Sequence, residues 1–329
     1  MKKIYHIDIL GCGKVAHIHA QAIGLLNNGR LAGVWSRSSS SAVAFARQYG
    51  TKSYSSVGEL VRKEEIDLAI VCTPHLFHAI PAIEAARAGA HVLVEKPLAI
   101  GLEACDTMIG ACKAAGVELG VISQRRWYRP VQRIKKAIEE GKIGKPLLGT
   151  VTMLGWRDRN YYESDAWRGT WNLEGGGVLV NQAPHQLDLL LWYMGEAEEV
   201  YGLWSNLNHP YIEVEDTALV IVRFRSGAIG NIVVSNSQKP GLYGKVHVHG
   251  ENGASVGVQT DGGAMFIAGM SGIQEPPFND VWSVPGEEKL PEQWQKEEEA
   301  FFGTIDPVVH FMKLQIADFL EALDTGRSP

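Results

Sequence analysis

The chain has 329 residues, a formal net charge of −6 and an apolar fraction of 45%. This length predicts about two domains, each with enough apolar residues for its own core. Because the sequence contains no Lys/Arg-rich block, we expect no nucleic-acid partner. No apolar run approaches the ~18 residues of a membrane span, so we expect no membrane partner either.

The N-terminus and the cysteines predict a cytoplasmic protein. The first apolar run is interrupted at Asp8 and leads into Gly11 without the small-residue cleavage site of a signal peptide. The four cysteines form no CxxC pair, which is typical of reduced, packed thiols. No set of His, Cys, Asp and Glu has metal-ligand spacing, so no metal is predicted.

Residues 1–122 alternate between strand and helix patterns. Strand patterns lie at YHIDILG, LAGVWS, DLAIVCT, HVLVEKP and VELGVIS. Helix patterns lie between them at KVAHIHAQAIGLL, SAVAFARQYG, PHLFHAIPAIEAARAG and CDTMIGACKAAG. This alternation predicts an α/β domain with a doubly wound parallel sheet.

Residues 123–329 follow a different pattern. Helices are predicted at RRWYRPVQRIKKAIEEGKIG, VNQAPHQLDLLLWYMG and PVVHFMKLQIADFLEAL. Alternating strand segments lie at KPLLGTVTMLGW, EEVYGLWSNL, DTALVIVRF, GAIGNIVVSNS and GKVHVHGENGASVGV, with SG and ENG turns. They predict an α+β domain with an open, largely antiparallel sheet. Its uncovered apolar face predicts a homodimer or a higher homo-oligomer.

The turn GCGKVA after the first strand fits the dinucleotide-binding pattern G-x-G-x-x-G/A. Gly11 permits the tight turn, and Gly13 lets the backbone approach a pyrophosphate at the helix N-terminus. Lys14 and Val15 are further predicted contacts of the dinucleotide. The alternative is a glycine turn that binds no ligand.

Ser36 and Arg37 follow the second strand, where an NAD site usually has Asp or Glu for the ribose 2′-hydroxyl. A hydroxyl and a guanidinium suit a 2′-phosphate, which favours NADP over NAD within an NAD(P) site. The alternative is that Arg37 stacks on the adenine and NAD binds.

Three motifs stand in order, namely GCGKVA, CTPHLFH and EKP. With them the chain resembles the glucose–fructose oxidoreductase/inositol dehydrogenase family, also called Gfo/Idh/MocA, over nearly its whole length. The resemblance implies a nicotinamide-dependent sugar, polyol or glycoside oxidoreductase with a Rossmann domain and an open-sheet substrate domain. It also implies a last helix near the first domain. We expect that helix to be missing here, in a trimmed chain or a short variant.

The resemblance assigns the chemistry to Lys96 and His185. Lys96 would reach the reacting hydroxyl beside the nicotinamide and stabilise developing negative charge, with Pro97 setting its turn. His185 would accept the hydroxyl proton. The loops after the later strands supply the remaining predicted cofactor contacts, namely Thr73, Pro74, His75, His78, Glu95, Lys96, Pro97 and Gln124. Glu95 would contact a cation or the nicotinamide ribose, and His75 would contact the nicotinamide or simply pack.

Asn181 and His185 are four residues apart, so one continuous helix would place them on one face, with Asp188 nearby. Inositol dehydrogenases of the family have Asp at the place of Asn181. Because an amide cannot take a proton, we expect Asn181 to hydrogen-bond a substrate hydroxyl. This departure argues against inositol as the substrate.

Aromatic and Arg side chains crowd residues 156–171, which indicates a sugar site, because aromatic faces stack on pyranose rings. The predicted substrate-binding residues are Lys96, Arg126, Trp156, Arg157, Tyr161, Trp167, Arg168, Asn181 and His185. The alternative is a core aromatic cluster with Arg on its rim. WRGTW, EGGG and NQAPH resemble members that act on glucosides, which implies oxidation of the C3 hydroxyl to a 3-keto product.

The resulting hypothesis is an NAD(P)-dependent dehydrogenase of a secondary hydroxyl in a sugar or glycoside. Two alternatives stay open. One is a glycoside hydrolase that keeps NAD bound and works by transient C3 oxidation and elimination. The other is a dinucleotide-sensing regulator without catalysis, which would not need Lys96 and His185. No role is predicted for Trp204, Asn206 or His209, and we expect His247 and His249 to be exposed or interfacial.

Overall fold

The computed structural model describes residues 3–262 and 275–329. It divides into two compact units. The first comprises Met1–Gln124 and Val309–Pro329, and the second comprises Arg125–Val308. The predicted domains, 1–122 and 123–329, differ from this division mainly at the C-terminal end.

The first unit contains a six-stranded parallel sheet in the order β3-β2-β1-β4-β5-β6. Its strands are β1 (Tyr5–Leu10), β2 (Gly29–Trp35), β3 (Lys52–Tyr54), β4 (Leu68–Val71), β5 (His91–Val94) and β6 (Leu119–Val121). Its first helices are α1 (Lys14–Gly24), α2 (Ser39–Tyr49), α3 (Val57–Lys63), α4 (Ala79–Arg87) and α5 (Leu102–Ala115). This strand order is that of a doubly wound Rossmann fold, which confirms the predicted class.

The sequence patterns missed β3 and α3, which have three and seven residues. Such short elements span only about two periods of a helix or one and a half of a strand, so their patterns are weak. Gly50 ends α2 with φ +65°, a left-handed C-cap.

The second unit is built on a seven-stranded sheet in the order β13-β12-β11-β7-β10-β9-β8. Its strands are β7 (Pro146–Leu154), β8 (Ala197–Ser205), β9 (Thr217–Phe224), β10 (Ile229–Ser235), β11 (Tyr243–Gly250), β12 (Ser255–Gly262) and β13 (Phe278–Trp282). Among these, β7 and β10 pair in parallel and the other pairs are antiparallel. The open, largely antiparallel sheet is therefore confirmed.

The helices of this unit are α6 (Arg129–Glu139), α7 (Arg159–Glu163), α8 (Trp171–Glu174), α9 (Val178–Asn181), α10 (Pro184–Met194) and α11 (Leu290–Phe302). Helix α10 covers one face of the sheet, and it packs so closely that a Cβ on Gly149 would lie 2.6 Å from Leu190. Side chains on the opposite face of β9, such as Leu219 and Ile221, stay 52% and 60% exposed.

The last helix, α12 (Pro307–Thr325), is a correction to the sequence analysis. From residue 309 onward it belongs to the first unit, where Ile316, Phe319 and Leu320 join the core of the parallel sheet. The Gln315 amide donates to the carbonyl of Val121, at the end of β6. A helix that packs on the first domain is thus present, and the expectation that it is missing is wrong.

No described helix combines the length and the apolar character that crossing a membrane would require.

Candidate active site

The carboxyl ends of β1, β4 and β5 lie side by side in the parallel sheet. The strand order reverses between β1 and β4, and ligands of such sheets bind at that edge. The chain passes so close there that a Cβ on Gly11 would lie 2.7 Å from the backbone nitrogen of Thr73. Gly11 also has φ +111°, which other residues rarely adopt. The fold therefore requires a glycine at this position.

Gly13 has no comparable structural reason to be a glycine. Its φ of −86° suits any residue, and a Cβ would meet no described atom within 4 Å. It precedes α1, whose first turn carries no acidic side chain. The open space beside an uncapped helix N-terminus fits a pyrophosphate, as the G-x-G-x-x-A pattern predicts.

Cys12, between these glycines, provides no nucleophile at neutral pH. Burial raises the pKa of its thiol to about 11.

Two buried polar atoms in the first unit fit a bound dinucleotide. Thr73 Oγ1 and Gln124 Oε1 have no hydrogen-bond partner within the described part of the chain. Buried polar groups in native proteins nearly always have a partner, which a ligand can supply. Lys14 and Val15, exposed at the start of α1, lie where the predicted pyrophosphate would bind.

Arg37 follows β2 and places its guanidinium 3.5 Å from the ring centroid of Phe77. Phe77 belongs to a 3₁₀ turn, His75–Phe77, that follows Pro74. Ser36 Oγ accepts from the amide of Ser38 at 3.4 Å. No carboxylate follows β2 before α2 begins, so the acidic residue of a typical NAD site is absent from this segment.

The EKP turn is held by two histidines. Glu95 Oε1 accepts from His19 Nε2 of α1 at 2.8 Å. The His78 ring contacts the carbonyls of Pro97 at 2.9 Å and Thr73 at 2.7 Å. Glu95 thus has a protein partner where we predicted a cation or a ribose. His78 is completely buried, so it has no surface for the direct cofactor contact we predicted. Sequence reasoning missed His19, because no local signal points to it.

In the second unit, the hydroxyl of Tyr161 is a hydrogen-bonding centre. It accepts from Arg168 at 2.5 Å, Gln182 at 2.9 Å and Asn181 at 3.2 Å. Burial raises the pKa of Tyr161, against the opposing charges of Arg168 and Arg157. Three residues that were predicted to bind substrate, Tyr161, Arg168 and Asn181, therefore lie together. The Arg157 guanidinium lies 5.0 Å from the centroid of the Tyr161 ring. We call this group the Tyr161 cluster.

Glu174 completes this cluster and was missed by the sequence analysis. It is 1% exposed, and it accepts from the side-chain amide of Asn181 and the backbone amide of Gly169. A carboxylate accepts hydrogen bonds only, so it fixes the orientation of the Asn181 amide, with the nitrogen toward Glu174. The sequence signal was an acidic residue directly before the glycines of EGGG.

Asn181 and His185 do not share one helix, as the sequence analysis expected. Asn181 ends α9, whereas His185 is the second residue of α10. Pro184 explains the break, because it lacks an N–H for the preceding turn and favours the first position of a new helix.

Arg126 is engaged by a protein carboxylate. Its Nε and one terminal nitrogen donate to Asp188 at 2.8 and 2.6 Å. This bidentate ion pair occupies guanidinium N–H donors of Arg126, a residue that the sequence analysis had assigned to substrate binding.

The remaining aromatic residues separate into two groups. Trp167 lies beside Arg168, with 4.4 Å between guanidinium and ring, in the Tyr161 cluster. Trp156 packs instead on His209, a buried residue whose ring bonds Asp216 and the carbonyl of Arg157. Trp156 and His209 thus belong to a packed aromatic group.

The residues without an assigned role have structural partners. Trp204 packs against Trp171, and the amide of Asn206 donates to the carbonyls of His209 and Ile212. His247 is half-buried and bonds Asp280, and His249 bonds Ser255. The described residues contain no cluster that could hold a metal ion.

Two family models match the chain. The NAD-binding Rossmann-fold oxidoreductase model covers residues 5–123, and the GFO/IDH/MocA C-terminal domain model covers residues 131–256. The chain belongs to the GFO/IDH/MocA family.

Relatives of this chain include proteins named as sugar or polyol dehydrogenases. Myo-inositol 2-dehydrogenase of Thermotoga maritima is 31% identical over 75% of this chain and 73% of its own length. The WlbA dehydrogenase of Bordetella pertussis, solved with NADH and UDP-GlcNAcA, is 30% identical at a TM-score of 0.83. That match covers 99% of this chain and 89% of the other. A levoglucosan dehydrogenase with NADH is 26% identical at a TM-score of 0.71, over 78% and 73% of the two chains. This GFO/IDH/MocA protein is an NAD-binding oxidoreductase.

Proposed function

We propose that this family member oxidises a secondary ring hydroxyl of a sugar or glycoside, with Lys96 and His185 as its catalytic residues. The observation that carries the proposal is the place of Lys96. It follows β5, at the strand edge where Gly11 and Thr73 also lie. A cationic side chain at that edge is suited to an oxygen that gains negative charge.

The reaction removes a hydride from the carbinol carbon and a proton from its hydroxyl, which leaves a ketone. When bound, the nicotinamide supplies the hydride acceptor. Lys96 holds the hydroxyl oxygen and stabilises its developing charge. His185 accepts the proton, because an imidazole titrates near neutral pH.

The Tyr161 cluster supports a sugar or glycoside substrate. It combines aromatic faces with guanidinium and amide groups, the two kinds of contact that pyranose rings and their hydroxyls need. Asn181 stands where inositol dehydrogenases of the family have Asp, which argues for a sugar over inositol. The WRGTW and EGGG segments resemble glucoside-oxidising members, so we propose C3 as the carbon that is oxidised. The UDP-sugar bound by WlbA makes a nucleotide sugar one member of this substrate class.

NADP is the slightly favoured cofactor. Ser36 and Arg37 offer a hydroxyl and a guanidinium where an acidic residue would repel a 2′-phosphate. The stacking of Arg37 on Phe77 holds the guanidinium beside the end of β2.

The test is nicotinamide fluorescence with NAD or NADP and a panel of glucosides, UDP-GlcNAcA, levoglucosan and myo-inositol. Lys96→Met is expected to lower kcat by about 10³-fold, whereas Lys63→Met, an exposed lysine of α3, leaves kcat unchanged. Substrate turnover that survives Lys96→Met would contradict the assignment. Release of an aglycone without net reduced cofactor would support the hydrolase alternative.

We also propose a cytoplasmic homo-oligomer that forms through the open sheet. The open face is defined by Tyr201, Leu203, Leu219 and Ile221, which are 52–67% exposed. An apolar patch of this kind marks an interaction site, and a second copy can cover it symmetrically. The four free cysteines suit a reducing compartment.

A further inference from the structure

His19 lies on α1, the helix that begins directly after the glycine turn. Its side chain is completely buried, and its Nε2 donates to Glu95 Oε1 across 76 positions of sequence. Within the described residues, its Nδ1 has no hydrogen-bond partner. The described hydrogen bond of the buried His19 ring is therefore the one to Glu95, the residue before Lys96.

The other oxygen of Glu95 accepts from the backbone amide of Lys96 at 3.2 Å. The preceding amide, that of Glu95, still bonds the β4 carbonyl of Val71, as part of the sheet. After Glu95 the backbone stops pairing with β4. The Lys96 amide donates to the Glu95 carboxylate instead of to a strand carbonyl. On the far side of Lys96, His78 holds the carbonyl of Pro97.

The charge of Glu95 agrees with this contact. Burial acts to raise the pKa of Glu95, but the hydrogen bond and charge of His19, with the charge of Lys96, outweigh it and lower the pKa. An ionised carboxylate in a buried site needs hydrogen-bond donors to be tolerated. His19 and the Lys96 amide supply them.

We propose that His19 is a positioning residue, which sets the orientation of Lys96 through the Glu95 carboxylate and so connects the dinucleotide-binding helix to the catalytic turn. This inference rests on the proposed role of Lys96. Misplacement of a catalytic group by about 1 Å can cost about 10²-fold in rate, so loss of the His19 contact should lower kcat.

Two substitutions separate this role from simple core packing. His19→Gln puts an amide nitrogen where Nε2 lies, so it can still donate to Glu95. His19→Asn keeps a polar amide, but its nitrogen reaches only the position of Nδ1. His17→Leu is the matched control on the same helix, because His17 bonds Tyr49 and does not contact Glu95.

The first readout is hydrogen–deuterium exchange of the Lys96 amide, which needs no substrate. We expect exchange about tenfold faster in His19→Asn and close to native rates in His19→Gln and His17→Leu. Equal exchange in the Asn and Gln variants would overturn the proposal.

The second readout is kinetic, with whichever substrate of the panel is turned over. We expect His19→Asn to lower kcat about tenfold with the dinucleotide Kd within about twofold, and His19→Gln to restore kcat. A loss that appears only in dinucleotide affinity would refute the positioning role. If Lys96→Met retains activity, the proposed function fails instead, and the exchange experiment still reports whether His19 orders the turn.

Discussion

Asp8 is a buried carboxyl in the middle of β1 with no surface exposure. Neither of its side-chain oxygens has a hydrogen-bond partner in the described structure. Burial therefore raises the pKa of Asp8 well above its ordinary value. An isolated charge at this position would be costly, so the folded protein holds the proton at pH values where the unfolded chain has lost it.

The expected result is pH-dependent stability. Below the ordinary pKa, both states are protonated and Asp8 carries no ionisation cost. As the pH rises, the unfolded chain loses its proton first, so the free energy of unfolding falls until the folded pKa is passed. Asp8→Asn cannot ionise and should be more stable than the native protein by about 2 kcal/mol at pH 8, and by less at pH 5.

Urea unfolding at both pH values measures this difference. Asp106→Asn, at an exposed position of α5, controls for the loss of one carboxyl. If Asp8→Asn has the same stability advantage at pH 5 as at pH 8, the buried proton is not the cause.

The sequence could not reveal these buried polar residues by pattern. Asp8 sits between Ile7 and Ile9 in a strand that was correctly predicted, yet its burial depends on helices on that face of the sheet. His19 is a similar case. Tyr161 and Arg168 were predicted, because an aromatic and Arg-rich segment is visible locally, and Asn181 was predicted from its spacing to His185 and from the family resemblance.

At the scale of elements, the turn between β1 and α1 contains two glycines with different requirements. Gly11 needs its positive φ and its close approach to Thr73, whereas Gly13 adopts an ordinary φ beside open space. The first glycine therefore serves the fold, whereas the second has no such structural requirement, which fits the predicted pyrophosphate beside it.

Alanine substitutions should separate these two requirements. We expect Gly11→Ala to lower the free energy of unfolding by about 3 kcal/mol, through strain and backbone contact. We expect Gly13→Ala to stay within about 0.5 kcal/mol of the native stability, but to weaken dinucleotide binding about tenfold, because the methyl group lies in the pyrophosphate's approach. Chemical unfolding and fluorescence titration measure both. Unchanged affinity in Gly13→Ala would remove the argument for a pyrophosphate beside it.

At the scale of the whole molecule, the open sheet face exposes apolar side chains of neighbouring strands to solvent. Leu203 and Leu219 are cross-strand neighbours on β8 and β9, and they stay 65% and 52% exposed. Covering such a face with a second copy would remove apolar area from water in both chains.

Light scattering after size-exclusion chromatography tests this proposal. The native protein should have a mass that is a multiple of one chain, and Leu219→Glu should shift it to one chain, because a charge would be buried in the interface. Leu102→Glu, at an 84% exposed site on α5, should keep the native mass. A native protein with the mass of a single chain would contradict the proposal.

The sequence by itself determined the Rossmann class, the dinucleotide turn and the open sheet of the second unit. These features depend on local periodicity and on glycines at fixed spacing. Both signals can be read from a short stretch of sequence without knowing the tertiary structure. The sequence also predicted Lys96 at the end of a strand pattern, because the EKP motif closes the run HVLVEKP.

Only the tertiary structure decided which distant residues meet. It placed α12 in the first unit, separated Asn181 and His185 into two helices, and paired His19 with Glu95. The physical reason is that such contacts are chosen by packing and by the need of buried polar groups for partners, over separations that no local pattern records.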